Sequence, residues 1–258
     1  VILLPGWWLG AWAWDEVVRH LSDLGVAAHP LTLPGLEPAP HDGIVLTDHV
    51  GALASAHPVT PGLESSAPLD GIVLADHVGA LVAAVRSAEV PVVLVAHSGA
   101  GAVVTGALDT VGDLVARVVY VDSGPSADGS VASPDLSPET VEVPLPPFAD
   151  LEAVGVSTAD LTPQMLQRFR DRAVPHPAGP LREPLRLTNP ARNQVPATVV
   201  CCSFPSAAVR EMAAAGTGMF APLSDLTDAT YVDLPTGHWP MWSRPDALAD
   251  LIAEAAAV

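Results

Sequence analysis

The chain alternates between short, nearly unbroken apolar runs and longer stretches in which apolar residues recur at helical spacing. Runs at 1–5, 27–33, 90–96, 117–121, 197–202 and 230–234 are rich in Val, Ile and Leu and read as strands. They are continuous rather than alternating in hydrophobicity, as strands are when both sheet faces are covered. Stretches at 12–24, 74–88, 100–108 and 245–257 predict helices between them. This alternation predicts an α/β fold: an open, mostly parallel sheet with helices on both faces. The rhythm breaks over 125–192, a stretch rich in Pro, Ser and Asp with one amphipathic helical pattern at 162–173. A connection of that length is not an ordinary loop. It predicts a mostly helical cap inserted into a core made of 1–124 and 193–258.

One unit is written twice. Residues 42–56 read DGIVLTDHVGALASA and residues 70–84 read DGIVLADHVGALVAA, identical at 12 of 15 positions. The Pro-Gly-Leu-Glu of 34–37 also recurs at 61–64. Two copies do not make a solenoid. The second copy runs directly into the strand at 90–96, so it is expected to be the framework helix. Residues 38–65 are expected to be a peripheral duplicated insert.

Composition narrows the partners. The formal charge is −18 and all 11 basic residues are arginine, so the surface repels nucleic-acid phosphates. No apolar run reaches the roughly 20 residues a membrane-spanning helix needs. Cys201 and Cys202 are adjacent, and neighbours on a strand point to opposite faces, which predicts two buried thiols rather than a disulfide. A cytoplasmic location is compatible with this, and a signal peptide removed ahead of Val1 is also compatible. The pairs Asp48-His49 and Asp76-His77 lack third and fourth ligands and are expected to lie on solvated helix faces, so no metal and no organic cofactor is implied.

The candidate chemistry centres on Ser98. A strand to Val95, the turn Ala96-His97-Ser98-Gly99-Ala100 and a helix after it make a nucleophile elbow, which lifts a serine hydroxyl above the sheet edge. Small residues are needed two positions either side, and Ala stands at both. His238, in Thr236-Gly237-His238-Trp239-Pro240, follows the last strand and is the expected general base. Asp122 ends the strand after the nucleophile's helix and is the expected acid, with Glu211 and Asp225 as the other carboxylates to weigh. The oxyanion hole is expected from the backbone N–H groups of Trp7 and Gly99, with Gly6 permitting the turn that aims the first. All six tryptophans (7, 8, 12, 14, 239 and 242) fall near that loop or near His238. Trp8, Phe148, Leu151, Met165, Phe169 and Trp239 are expected substrate contacts.

The segments Leu3 to Trp14, Leu33-Pro34-Gly35-Leu36, Ala96 to Ala100 and Gly237 to Pro240 resemble the α/β-hydrolase superfamily. The opening segment resembles the branch of plant methylesterases and hydroxynitrile lyases with their bacterial relatives. Acid placement departs from that branch and is similar to that of zearalenone-type lactone hydrolases. The resemblance implies hydrolysis of a small apolar carboxylic ester or lactone through an acyl-enzyme on Ser98. Two other functions fit the same fold. A lyase of the hydroxynitrile type is expected to need a lysine, and this chain has none. A non-catalytic ligand-binding homologue would not need Ser, His and Asp together. The sequence does not assign an oligomeric state.

Overall fold

A computed structural model describes residues 1–38 and 71–257. The first copy of the duplicated unit, at 42–56, lies outside the described residues. Six parallel strands form one sheet in the order β2-β1-β3-β4-β7-β8. The strands are β1 Ile2–Leu4, β2 His29–Pro30, β3 Val92–His97, β4 Val115–Val121, β7 Ala197–Cys201 and β8 Ala229–Asp233. A separate antiparallel pair, β5 Glu142–Val143 and β6 His176–Pro177, lies in the segment between β4 and β7.

Side-chain alternation along the strands splits the core in two. Leu94, Ala96, Val118, Tyr120 and Val199 point to one face, where α2 (Leu74–Arg86), α3 (Ala100–Val111) and α7 (Ser206–Ala214) cover them. Val93, Val95, Val119, Val121 and Val200 point to the other, covered by α1 (Asp15–Asp23) and α9 (Pro245–Ala256). Both faces are therefore dry, which is why β3 is buried along its whole length and reads as a continuous apolar run.

The second copy of the duplicated unit supplies α2, which packs on α3 and buries Leu74, His77, Leu81 and Val85. This corrects the solvated-face expectation for Asp76-His77. His77 is only 1% exposed, and its Nε2–H donates to the Pro34 carbonyl at 2.9 Å. The helical spacing places His77 on the same face as Leu74, Leu81 and Val85, so it turns inward while Asp76 stays out to cap the helix at Val73 N–H.

Other elements are shorter than the pattern suggested. The expected strand at 27–33 shrinks to two residues, because it lies at the sheet edge and contains Pro30, which has no N–H for the ladder. The expected helix at 12–24 begins as a 3-10 turn over Ala11–Trp14 before α1. Residues 125–192 hold three helices, α4 (Phe148–Ala153), α5 (Pro163–Arg172) and α6 (Ala178–Arg182), besides the β5–β6 pair. The Thr162 hydroxyl caps α5 by accepting from Met165 N–H. The remaining short helix, α8 (Pro240–Ser243), follows His238 directly. Among the described residues no helix is long and apolar enough to cross a membrane.

Candidate active site

Ser98 sits at the tip of the turn between β3 and α3, with φ +53°, in the left-handed region that a non-glycine residue enters only when its surroundings hold it there. The surroundings are tight. A Cβ at Gly6 would stand 2.8 Å from Ser98 Cβ and 3.3 Å from its Oγ, and a Cβ at Gly99 would stand 2.1 Å from Trp7 Nε1. Glycine at position 6 is thus required by close approach. The positive φ of that loop falls at Trp8, at +65°.

His238 lies between β8 and α8, and its backbone N–H donates to the Ser157 carbonyl at 2.8 Å. Its Nε2 is 2.7 Å from Ser98 Oγ, and its Nδ1 is 2.6 Å from Asp122 Oδ2. A carboxylate only accepts, so Nδ1 carries the proton and Nε2 presents a lone pair to the serine hydroxyl.

Asp122 follows β4 directly, at φ +44°. Three further bonds hold it from the end of β7. Its Oδ1 accepts from the backbone N–H groups of Cys202 at 3.2 Å and Ser203 at 2.9 Å, and its Oδ2 accepts from Ser203 Oγ at 2.6 Å. Burial pushes the carboxyl pKa up, but the bonds from His238 and Ser203 outweigh it and hold the value down at about 2. The side chains of His238 and Asp122 are 13% and 10% exposed, so the pair is largely shielded from water. Glu211 and Asp225 are exposed and make no bond to His238.

The backbone N–H groups of Trp7 and Gly99 donate to no acceptor among the described residues. Both residues border the Ser98 hydroxyl on a cavity of ≈ 550 Å³. Its floor is the carboxyl end of the sheet, and its walls come from residues 123–132, 151–156, 180–185 and 218–222. Trp8, Leu151 and Trp239 line it. Phe148, Met165 and Phe169 do not. Phe148 and Phe169 are buried in an aromatic layer with Trp239 and Trp242, where they serve packing, and the Met165 sulfur accepts from Thr162 N–H at the start of α5. The lining is mostly apolar, and among the described residues its only charged residues are Asp122 and Glu183.

Two residues at this site carried no sequence signal that was read as functional. Ser203 binds Asp122 from the loop after β7, where a serine is unremarkable. His97 precedes Ser98 and is 1% exposed, a polar residue ending an otherwise apolar buried strand, and that contrast was the available signal. The two cysteines are free and buried, and burial pushes the Cys201 thiol up to about 11.

Comparison with known proteins agrees with this architecture. The alpha/beta hydrolase family model matches residues 1–251, and the chain belongs to that family. No curated protein matches the chain by sequence. Among solved structures it is similar to a methylesterase protein from Arabidopsis, at 17% identity and a TM-score of 0.68, covering 99% of this chain and 98% of that one. An extracellular alpha/beta-hydrolase from a Paenibacillus species, described as sharing structural and functional homology to tobacco salicylic acid binding protein 2, aligns at 20% identity and a TM-score of 0.66 over 98% of both chains. A pyrethroid hydrolase from Sphingobium faniae aligns at 20% identity and a TM-score of 0.61, over 99% of this chain and 96% of that one. At these identities the likeness concerns the fold.

Proposed function

We propose that this chain is a serine hydrolase that cleaves a neutral, apolar carboxylic ester or lactone through an acyl-enzyme on Ser98. The observation that carries the reading is the unbroken chain from Asp122 through His238 to Ser98, with contacts of 2.6 and 2.7 Å. In this reading His238 Nε2 takes the Ser98 proton as Oγ attacks the carbonyl carbon. Trp7 and Gly99 N–H groups receive the negative oxygen of the tetrahedral intermediate. His238 returns the proton to the leaving alkoxide. It then takes a proton from water as the water attacks the acyl carbon, and hands that proton to Ser98 Oγ as the acyl–oxygen bond breaks and the acid is released. Asp122 holds the His238 tautomer and stabilises the imidazolium at each step.

The cavity supports the substrate class. Among the described residues that line it there is no arginine and both charged ones are acidic, so a carboxylate-bearing substrate meets repulsion and the acid product is readily expelled. Exposed apolar side chains at its rim, Val154, Phe204 and Met219, extend the apolar surface beyond the mouth. That two solved structures of this shape are named methylesterase and pyrethroid hydrolase supports an ester. Residues 125–192 act in this reading as a cap that roofs the substrate over the core of 1–124 and 193–258.

The test is labelling with a fluorophosphonate followed by turnover of a panel of neutral esters and lactones. Wild-type protein is expected to label at Ser98 and to hydrolyse at least one apolar ester, and Ser98→Ala to do neither. Unchanged ester turnover in Ser98→Ala would refute the reading.

A further inference from the structure

Among the described residues, His97 is the one buried polar side chain that touches both halves of the site without belonging to the Ser98–His238–Asp122 chain. Its Nδ1 lies 3.2 Å from the backbone nitrogen of Gly6, and its Nε2 lies 2.7 Å from the backbone oxygen of His238. The partners leave no choice of tautomer. A backbone N–H can only donate, so Nδ1 bears the lone pair. A carbonyl can only accept, so Nε2 bears the hydrogen. Burial pushes the His97 pKa down to about 3, with the neighbouring His238 acting in the same direction, so the ring stays neutral. A charged ring would set two N–H groups against each other at Gly6. The ring is also fixed in place, 4.8 Å between centroids from His238 and edge-on to Trp14 at 6.4 Å.

These two bonds span three separate pieces of chain. Gly6 opens the loop that carries the Trp7 N–H. His238 sits on the loop after β8. His97 itself is covalently joined to Ser98. One imidazole therefore ties the backbone of the oxyanion loop to the backbone of the base's loop, across the residue next to the nucleophile. The bond from Gly6 also uses up the Gly6 N–H, which leaves the Trp7 N–H as the free donor of that loop.

We infer that His97 is a positioning residue that holds the oxyanion loop and the His238 loop in mutual register through its two ring nitrogens. The inference rests on the hydrolase reading proposed above. Reacting groups lose rate steeply with displacement, and a shift of about 1 Å costs on the order of 10²-fold. His97→Phe keeps a flat ring but removes both bonds. His97→Asn places an amide oxygen near the position of Nδ1 and can keep the Gly6 bond. His97→Gln reaches toward the His238 carbonyl with an amide N–H and can keep the other.

The experiment compares wild type with these three variants on a short-chain p-nitrophenyl ester, with active sites counted by fluorophosphonate and melting followed in parallel. The expected result is a kcat lower by about 10²-fold in His97→Phe, with KM nearly unchanged, because the groups displaced act in the transition state. His97→Asn and His97→Gln are each expected to recover about a tenfold share, since each restores one arm. Affinity for a boronic acid, which mimics the tetrahedral intermediate, should fall in step with kcat, which a purely structural role would not produce. If His97→Phe does not fold, the Asn and Gln variants carry the test. Wild-type kcat per active site in both, whatever their melting temperatures, would overturn the inference. Nitrogen-15 NMR of the imidazoles in the unliganded protein provides a readout without turnover. The expected form has Nδ1 unprotonated and Nε2 protonated at His97, and the opposite tautomer would overturn the inference. A wild type whose ester turnover survived Ser98→Ala would refute the hydrolase reading instead, and the NMR arm would still decide the two bonds.

Discussion

Replacing Asp122 with asparagine tests the proposed acid with almost no change of shape. The four bonds to the carboxylate dictate how the amide must sit. Oδ1 accepts from two backbone N–H groups, those of Cys202 and Ser203, so the amide oxygen has to stay on that side. Turning it would bury an NH2 against two donors, and each unmade bond there costs about 1–3 kcal/mol. The amide NH2 therefore replaces Oδ2, facing Ser203 Oγ and His238 Nδ1. Ser203 Oγ can turn and accept. His238 has to respond by giving up its Nδ1 proton and carrying it on Nε2 instead. That proton then points at Ser98 Oγ, 2.7 Å away, and the lone pair that should take the serine proton is gone.

The ring itself has little reason to move, since its backbone N–H remains bonded to Ser157 and its carbonyl to His97. The expected effect is thus a wrong tautomer in an intact site. In a serine–histidine–aspartate system this costs roughly 10⁴-fold in kcat, equivalent to about 5.4 kcal/mol of transition-state stabilisation. The assay is steady-state hydrolysis of an activated ester, with competent sites counted separately and folding checked by melting. KM should stay close to wild type, because asparagine keeps the shape of the cavity lining at that position. A kcat within tenfold of wild type, or an NMR spectrum in which His238 Nδ1 keeps its proton, would refute the reasoning.

Three further outcomes follow from the same geometry. The folded Asp122 pKa of about 2 lies below the roughly 3.9 of an unfolded aspartate, so its contribution to stability is present above about pH 4 and is lost as pH falls toward 2. Urea melts between pH 5 and 2 should show this loss in wild type and a smaller one in Asp122→Asn, and equal slopes would contradict it. Gly6→Ala would bring a methyl group to 2.8 Å from Ser98 Cβ and 3.0 Å from His97 Nδ1, so kcat should fall at least tenfold. Wild-type kcat in that variant would show that the two loops can part freely. Deleting residues 38–65 should leave a folded, active protein with melting shifted by only a few degrees, because the second copy of the duplicated unit already supplies α2. Loss of cooperative melting on deletion would assign the first copy a framework role.

Periodicity made the central strands legible because their environment is uniform. β3, β4 and β7 are covered on both faces, so each reads as an apolar run regardless of its neighbours. The less regular elements were not legible for the opposite reason. β2 is cut to two residues by Pro30 at the sheet edge. The β5–β6 pair contains Pro177 and is two residues long, and α7 has no strong apolar stripe to announce it. At the site, Ser98 and His238 stand in local motifs that survive without the fold. Ser203 and His97 act through backbone and side-chain partners 81 and 141 residues away, and no local pattern encodes those encounters. The expected substrate contacts divide on the same ground. Phe148 and Phe169 are apolar enough for either role, and only the layering of α4 and α5 over Trp239 and Trp242 sends them into the packing.

The placement of Asp122 changes what the neighbouring strand is free to do. β7 lies between β4 and β8 in the sheet, and at its carboxyl end the Cys201 carbonyl accepts from Leu234 N–H, where the chain leaves β8 toward His238. Here that end contributes no carboxylate. It contributes the Cys202 and Ser203 N–H groups and the Ser203 hydroxyl, which grip an acid reaching over from β4. The acid can reach because Asp122 adopts a left-handed backbone just past the strand, at φ +44°, and the three donors from β7 together with His238 hold it there. In the proposed reading the carboxylate comes from β4, and the residue after Ser203 carries no charge. Phe204 occupies that position, 40% exposed and packed edge-on against Phe220 at the cavity wall. In that reading the β7 loop supplies hydrogen-bond donors to the acid and part of an apolar entrance, and no charge. If Ser203→Ala raised the acid's pKa and slowed turnover while Phe204→Ala changed only the preference among apolar esters, the two functions of that loop would be separated as this geometry requires.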